Sequence, residues 1–231
     1  MIQVDFIIPT IPPRKRYLER LLKSIDNIIT PDDVKKNIII VDEGGTAGTQ
    51  RNRGLERSKG DYIYFVDDDD IVMSSFFCQS MMSYLRSRER AVFFTSERWH
   101  QPSEEDLKEL EFDNTAWTIG RSFVSYKQLA DRINMYGTMD NPAGPNLYCV
   151  GCYILRSDMK HIKWPTSSQF GEDIIYNKVV CLELARTNPS IKYIDAVKHI
   201  YVRHSNSTTW HTSQSHPEGR NMRWWCDVAG K

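Results

Sequence analysis

Four consecutive carboxylates, Asp67, Asp68, Asp69 and Asp70, follow the run DYIYFV at residues 61–66. Like charges this close repel one another unless cations or hydrogen bonds compensate them, so something positive is expected beside them. Hard oxygen donors suit magnesium or manganese carrying phosphates. The plainer alternative is a solvated acidic turn in which Asp70 caps the next helix. A second polar stop follows the Ile/Val-rich run at residues 37–41, where Asp42 and Glu43 lead into Gly44 and Gly45. A carboxylate there could accept hydrogen bonds from a base or ribose, and the glycines permit close approach of a ligand; a tight turn is the alternative. Arg51 and Arg53 follow, each a phosphate or nucleobase contact or else a surface arginine. Later come Glu172-Asp173, a carboxylate pair suited to general-base work or to capping a helix, and Arg203-His204.

Alternating strands and helices must position these residues. Apolar runs at 4–9, 37–41 and 61–66 read as strands. Tyr17, Leu18, Leu21, Leu22, Ile25 and Ile28 recur at helical spacing after Pro12 and Pro13, and residues 50–58 make a shorter helix. This strand-helix-strand-helix-strand order predicts an α/β fold with a mostly parallel central sheet flanked by helices. Residues 76–88 continue the pattern as a helix and 91–95 as a strand. From 97 to 118 the periodicity fades, with a short helix at 104–110, which predicts an insertion or small lobe. Beyond it, 123–136 reads as helix, 148–155 as strand, 172–186 as helix, and 191–194 and 199–202 as two late strands. The tail from 205 carries Trp210, Trp224 and Trp225 without a regular period.

The chain has 231 residues, 40% of them hydrophobic, enough for one ordinary domain. Its 30 Lys plus Arg balance 30 Asp plus Glu, which gives no electrostatic reason to expect bulk nucleic-acid binding. No stretch approaches the roughly 20 apolar residues of a membrane span, and the first residues lack the features of a signal peptide. Five cysteines, an odd number, argue for reduced thiols and an intracellular, cytoplasmic and soluble protein. Cys149 and Cys152 have zinc-knuckle spacing but no second pair, so they read as core residues. Nothing nearby orders a Cys-His pair that would make Cys152 a nucleophile.

Taken in order, the motifs resemble the GT-A fold glycosyltransferases, specifically the large inverting family 2. The resemblance rests on Phe6-Ile7-Ile8-Pro9-Thr10, Ile39-Ile40-Val41-Asp42, Arg51-Asn52-Arg53-Gly54 and Gly60-Asp61-Tyr62-Ile63-Tyr64-Phe65-Val66 with its acidic run. Where the family usually has a second Asp followed by Gly-Ser, this chain has Glu43, Gly44 and Gly45. Phe170-Gly171-Glu172-Asp173 looks like the Gly-Glu-Asp segment at the start of an acceptor-side helix, and Tyr201-Val202-Arg203-His204 like a late segment near metal and diphosphate.

The resemblance implies a single GT-A-like catalytic domain over 1–231, with a nucleotide-sugar-binding half at 1–96, an acceptor-side half at 97–208 and an aromatic tail at 209–231. It implies a divalent cation, Mn2+ or Mg2+, held by Asp69 and His204, with Asp67 and Asp68 beside it on the donor side. The register within the four aspartates stays open. Thr10, Asp42 and Arg51, with Arg53 as the alternative arginine, correspond to the nucleoside side, and Arg203 to the diphosphate. Asp173 is favoured as general base and Glu172 as its neighbour, with the roles exchangeable. Gly151 could permit close sugar approach and Trp164 could stack on a sugar or pack in the core. The implied reaction moves a sugar from a nucleoside-diphosphate-sugar donor to a hydroxyl of a glycan or other acceptor. Peripheral membrane docking stays open. Two other classes are weighed against it: a nucleotidyl- or pyrophosphate-processing enzyme, for which no Gly-rich phosphate loop is evident, and a noncatalytic nucleotide-sugar or glycan-binding module.

Overall fold

Alternation along the first strand sets the layering. In the computed structural model, β1 (Ile2–Pro9) turns Val4, Phe6 and Ile8 to one face and Ile7 to the other. The structure describes residues 1–100, 111–117, 127, 151–166, 172–187 and 190–203. After β1 come α1 (Lys15–Asp26), β2 (Val34–Val41), α2 (Ala47–Arg57), β3 (Tyr62–Phe65), β4 (Ile71–Val72), α3 (Gln79–Arg86) and β5 (Ala91–His100). β6 (Glu111–Trp117), β7 (Tyr153–Arg156), α4 (Glu172–Thr187) and β8 (Tyr193–Arg203) follow.

The sheet runs β2-β1-β3-β7-β5-β8-β4, with β6 paired to β5. β1 is parallel to β2 and β3, and β5 is parallel to β8. β7 enters antiparallel between β3 and β5, and so joins the two parallel parts into one mixed sheet. On one face Phe6, Ile8 and Tyr64 pack with Leu21 and Ile25 of α1 and Met81, Met82 and Leu85 of α3. On the other, Ile7, Ile39 and Phe65 pack with Leu55 of α2 and Tyr176, Val180 and Leu184 of α4. Two apolar layers around one sheet are what helices with single buried stripes require.

Local signals explain the helices nearest the acidic turn. Pro12 and Pro13 form a 3-10 turn with Arg14 that feeds α1, whose Tyr17, Leu21 and Ile25 are buried at intervals of four. Lys36 of β2 donates from Nζ to the carbonyls of Ile25 at 2.7 Å and of Asp26 and Ile28 at 3.3 Å, satisfying acceptors at that helix end. Thr46 caps α2, its Oγ1 accepting from the Thr49 amide at 3.1 Å. Gly54 lets α2 lie directly on β1, since a Cβ there would sit 2.2 Å from Ile7 Cγ2. Asp5 is fully buried at the β1–β2 junction. It accepts from Gln3 Nε2 (2.8 Å), Asn37 Nδ2 (3.0 Å), Ser58 Oγ (2.7 Å) and the Lys59 and Gly60 amides (both 2.7 Å). Burial alone would raise its pKa, but these donors outweigh burial and lower it.

Several expectations change. Residues 97–100 extend β5 and 111–117 pair back on it as β6, so part of the stretch read as aperiodic is a β-hairpin arm of the sheet. The two late strands are one, β8, which keeps its pairing to β5 through register shifts at Phe94, Thr95 and Ser96. The helices expected at 104–110 and 123–136 and the aromatic tail lie outside the described residues, apart from Lys127.

Candidate active site

Parallel pairing brings the carboxyl ends of β1 and β3 side by side, which is where open α/β sheets bind ligands. Thr10 follows β1, and the four aspartates follow Val66, whose amide donates to the Ile7 carbonyl at 3.2 Å. The Asp70 amide donates to the Asp67 carbonyl at 3.1 Å, closing the aspartates into a turn. Thr10 Oγ1 donates to Asp68 Oδ2 at 2.6 Å, and the Thr10 carbonyl accepts from Gln50 Nε2 at 2.8 Å. The positive charge expected beside the turn comes first from the protein. Arg14 Nη1 lies 2.9 Å from Asp68 Oδ1 and 3.2 Å from Asp69 Oδ2, and Arg20 donates to the Asp69 carbonyl. Burial opposes the charge on Arg14, but Asp69 and Asp68 outweigh it and raise its pKa. Burial and then Asp69 push the Asp68 carboxyl up to about 6, against the pull of Arg14 and Thr10.

Asp70 is buried completely. Its Oδ2 lies 2.8 Å from His199 Nε2, and its Oδ1 accepts from the Val202 amide at 3.1 Å. His199 Nδ1 lies 2.6 Å from Ser96 Oγ. Burial pushes the Asp70 carboxyl up to about 7; His199 pulls it down, while Asp69 and Asp67 add to the rise. Asp70 is therefore not a solvated helix cap. It ties the acidic turn to β8.

Arg51 joins the turn to the other half of the chain. Its Nη2 lies 2.6 Å from Asp67 Oδ1, and its Nη1 lies 3.0 Å from Glu172 Oε1 at the start of α4. The guanidinium carbon stands 4.4 Å from the Trp164 ring centroid, and Trp164 stacks on Tyr176 at 3.9 Å and 8°. Trp164 therefore has the Arg51 guanidinium and the Tyr176 ring as neighbours in the core, and it is not placed to stack on a sugar. Asn52 holds the same segment, donating to the Trp164 carbonyl and accepting from its amide, both at 2.9 Å. Burial opposes the Arg51 charge, but Asp67 and Glu172 raise its pKa well above the usual value. The sequence reading expected Arg51 at a phosphate or base. The structure commits two of its three nitrogens to carboxylates.

The remaining expected residues divide between site and periphery. Asp42 is exposed just past β2. Arg53 Nη1 donates to the carbonyls of Glu43 (3.1 Å) and Gly44 (2.8 Å), bracing the turn whose Gly44 and Gly45 have positive φ. Asp173 stands beside Glu172 in the first turn of α4, where negative charge meets the positive end of the helix dipole. Arg203 ends β8, while its side chain and His204 lie outside the described residues. Gly151 serves the interior: a Cβ there would come 2.8 Å from His199 Nε2, and its carbonyl accepts from Tyr64 OH at 3.1 Å. Cys152 is fully buried and burial raises its thiol pKa, as a core residue requires; Cys149 is outside the described residues.

Chemically, the turn fits a hard divalent cation. Asp67, Asp69 and Asp70 each offer one oxygen within 4.8 Å of the others. Asp70 spends both oxygens on β8, which leaves Asp67 and Asp69 as the better-suited donors. Arg14, Arg20 and His199 are the residues that sequence reasoning missed, together with the pairing of Arg51 to Asp67 and Glu172 and of Asp70 to His199. Their charges are visible in the sequence, but only the fold brings them to the turn.

Comparison with known proteins agrees with this fold. Residues 47–158 match the sequence model of glycosyl transferase family 2, a span that includes Arg51, the acidic turn and Gly151 and ends before Glu172. Among curated proteins none matches the chain. The fold is similar to the crystal structure of S. aureus TarS 1-349 in complex with UDP-GlcNAc, with TM-score 0.60 and 13% identity over 90% of this chain and 60% of that one. The TarS 1-349 complex with UDP gives TM-score 0.57 and 13% identity over 88% and 61%. A longer TarS structure gives 0.55 and 13% over 88% and 37%. This chain thus spans less than two thirds of each of those proteins. The family 2 resemblance is borne out, and the fold is that of the GT-A glycosyltransferases.

Proposed function

We propose that this chain is an inverting glycosyltransferase that moves a sugar from a nucleoside-diphosphate-sugar donor to an acceptor hydroxyl. The observation that carries the reading is the acidic turn at the joined ends of β1 and β3, linked through Arg51 to the carboxylate pair that opens α4. Thr10 and Asp42 line the nucleoside side. Asp69 and Asp67 would hold Mn2+ or Mg2+, with His204 and Arg203 as expected further contacts. When bound, the cation supplies Lewis-acid stabilisation of the departing diphosphate.

Asp173 is the general base. Glu172 is less suited because its carboxylate is committed to Arg51 at 3.0 Å. Asp173 takes the acceptor hydroxyl proton as that oxygen attacks the anomeric carbon, and the bond from that carbon to the diphosphate oxygen breaks. One displacement inverts the centre, and the nucleoside diphosphate leaves with the bonding electrons.

TarS is described in complexes with UDP and UDP-GlcNAc, so uridine donors head the screen. Nucleoside diphosphate release is measured with Mn2+ or Mg2+ across donors and acceptors, and the acceptor is then weighed by mass spectrometry. A mass gain of one sugar supports the proposal. Release of nucleotide with no acceptor product across a broad screen supports pyrophosphate processing, and ligand binding without turnover supports a binding module. No described helix is long and apolar enough to cross a membrane, and the acceptor can be soluble or presented at a surface.

A further inference from the structure

We infer that His199 is the positioning residue of the acidic turn: held by Ser96 and packed against Gly151, it fixes Asp70 and through it the metal-binding geometry of Asp67 and Asp69. This inference rests on the metal reading above and extends it to a residue of β8 with no place in the expected site. The sequence pointed to His204 instead.

Ser96, His199 and Asp70 are each completely buried and form an unbroken chain, 2.6 Å from Ser96 Oγ to His199 Nδ1 and 2.8 Å from His199 Nε2 to Asp70 Oδ2. With Asp70 ionised, an Nε2–H imidazole donates to it and accepts at Nδ1 a hydrogen bond from the Ser96 hydroxyl, so this chain needs no further ion. The Val202 amide donates to the other Asp70 oxygen at 3.1 Å, so the carboxylate is held at both ends. Because Asp70 closes the turn onto the Asp67 carbonyl at 3.1 Å, holding Asp70 restricts the backbone that aims the Asp67 and Asp69 side chains. Gly151 adds a wall behind the imidazole. Its φ of +96° and the 2.8 Å approach to Nε2 leave no room for a side chain. His199 is completely buried, so it acts on the turn through Asp70.

Partners that orient metal-ligating groups typically govern affinity by about 10- to 100-fold. The test is Mn2+ titration, read by electron paramagnetic resonance of the free ion, on the full chain without donor. His199→Leu removes both hydrogen bonds, and His199→Gln restores a donor where Nε2 stands. The expected result is a dissociation constant about 10- to 100-fold higher for folded His199→Leu, with His199→Gln within about threefold of the unmodified chain. Ser96→Ala, which keeps the imidazole but removes its hydrogen bond at Nδ1, is the second variant if His199→Leu fails to fold, and is expected to weaken Mn2+ binding by about 3- to 10-fold. Rescue by Gln separates positioning from a stability effect, because lost packing would not return with an amide. Unchanged Mn2+ affinity in a folded His199→Leu or Ser96→Ala, or no rescue by Gln, overturns the inference while leaving the metal reading intact. Failure of the unmodified chain to bind Mn2+ overturns the metal reading and the inference with it.

Discussion

Replacing Arg51 by Lys tests whether one buried guanidinium really fastens the acidic turn to α4. Arg51 spans Asp67 at 2.6 Å and Glu172 at 3.0 Å from two different nitrogens, and stands 4.4 Å from the Trp164 ring centroid. A lysine keeps the charge but has one nitrogen in place of the fork, so it pairs with one carboxylate and leaves the other partly buried with less compensation. Losing one charge-assisted hydrogen bond costs about 1.5–3 kcal/mol, and losing the desolvated contact with Trp164 costs up to about 2 kcal/mol. The expected loss is about 3–4 kcal/mol, or about 6–16 °C in the unfolding midpoint for a chain of this size. Urea unfolding in EDTA at neutral pH measures it, and Glu172→Gln completes a double-mutant cycle. The two substitutions share one interaction, so they should be non-additive by about 1–3 kcal/mol. An Arg51→Lys chain within about 0.5 kcal/mol of the original, or strict additivity with Glu172→Gln, would refute the bridge.

Other predictions concern the buried carboxylates and the proposed base. Asp68 and Asp70 have pKa values raised to about 6 and about 7, so the folded chain binds more protons than the unfolded one over that range. Their contribution to stability is complete below the ordinary carboxylate pKa and is lost as pH rises through 6 and 7; the unfolding midpoint in EDTA should therefore fall between pH 5 and 8, and a midpoint that rises would contradict the assignment. Asp5→Ala strands the Ser58 hydroxyl and the Lys59 and Gly60 amides, and should cost more than about 3 kcal/mol in the same urea assay; a loss under about 1 kcal/mol would show that water replaces the carboxylate. Asp173→Asn should keep nucleoside diphosphate affinity within about threefold and reduce acceptor transfer by at least about 100-fold, measured by product mass; equal transfer would remove Asp173 from the base role.

The first half of the chain was legible because its signals are local. Ile7 and Phe65 sit in apolar runs, Pro12 and Pro13 announce the entry to α1, and the Asp67–Asp70 run marks a strand end without help from the rest of the fold. What the sequence concealed depends on contacts between distant segments. β7 pairs antiparallel with β3, Tyr62 facing Arg156, and nothing in either run encodes that direction. Arg14 and Arg20 read as ordinary charges of an amphipathic segment until α1 crosses in front of the turn. His199 reads as one more polar residue in a late strand, and its meaning comes from Asp70, 129 positions earlier. Trp164 kept both of its readings in the sequence, and the Tyr176 ring stacked on it decides between them in favour of the core.

Calorimetric titration of a nucleoside diphosphate into the full chain, with Mn2+ and then with EDTA, tests the proposed donor site at Asp67–Asp70 most directly. UDP is the first ligand, and Asp69→Ala is titrated in parallel. The account predicts saturable binding at one site in Mn2+, weakened by at least about 10-fold both by EDTA and by Asp69→Ala. Absence of binding by any nucleoside diphosphate, or equal affinity in all three titrations, would contradict it.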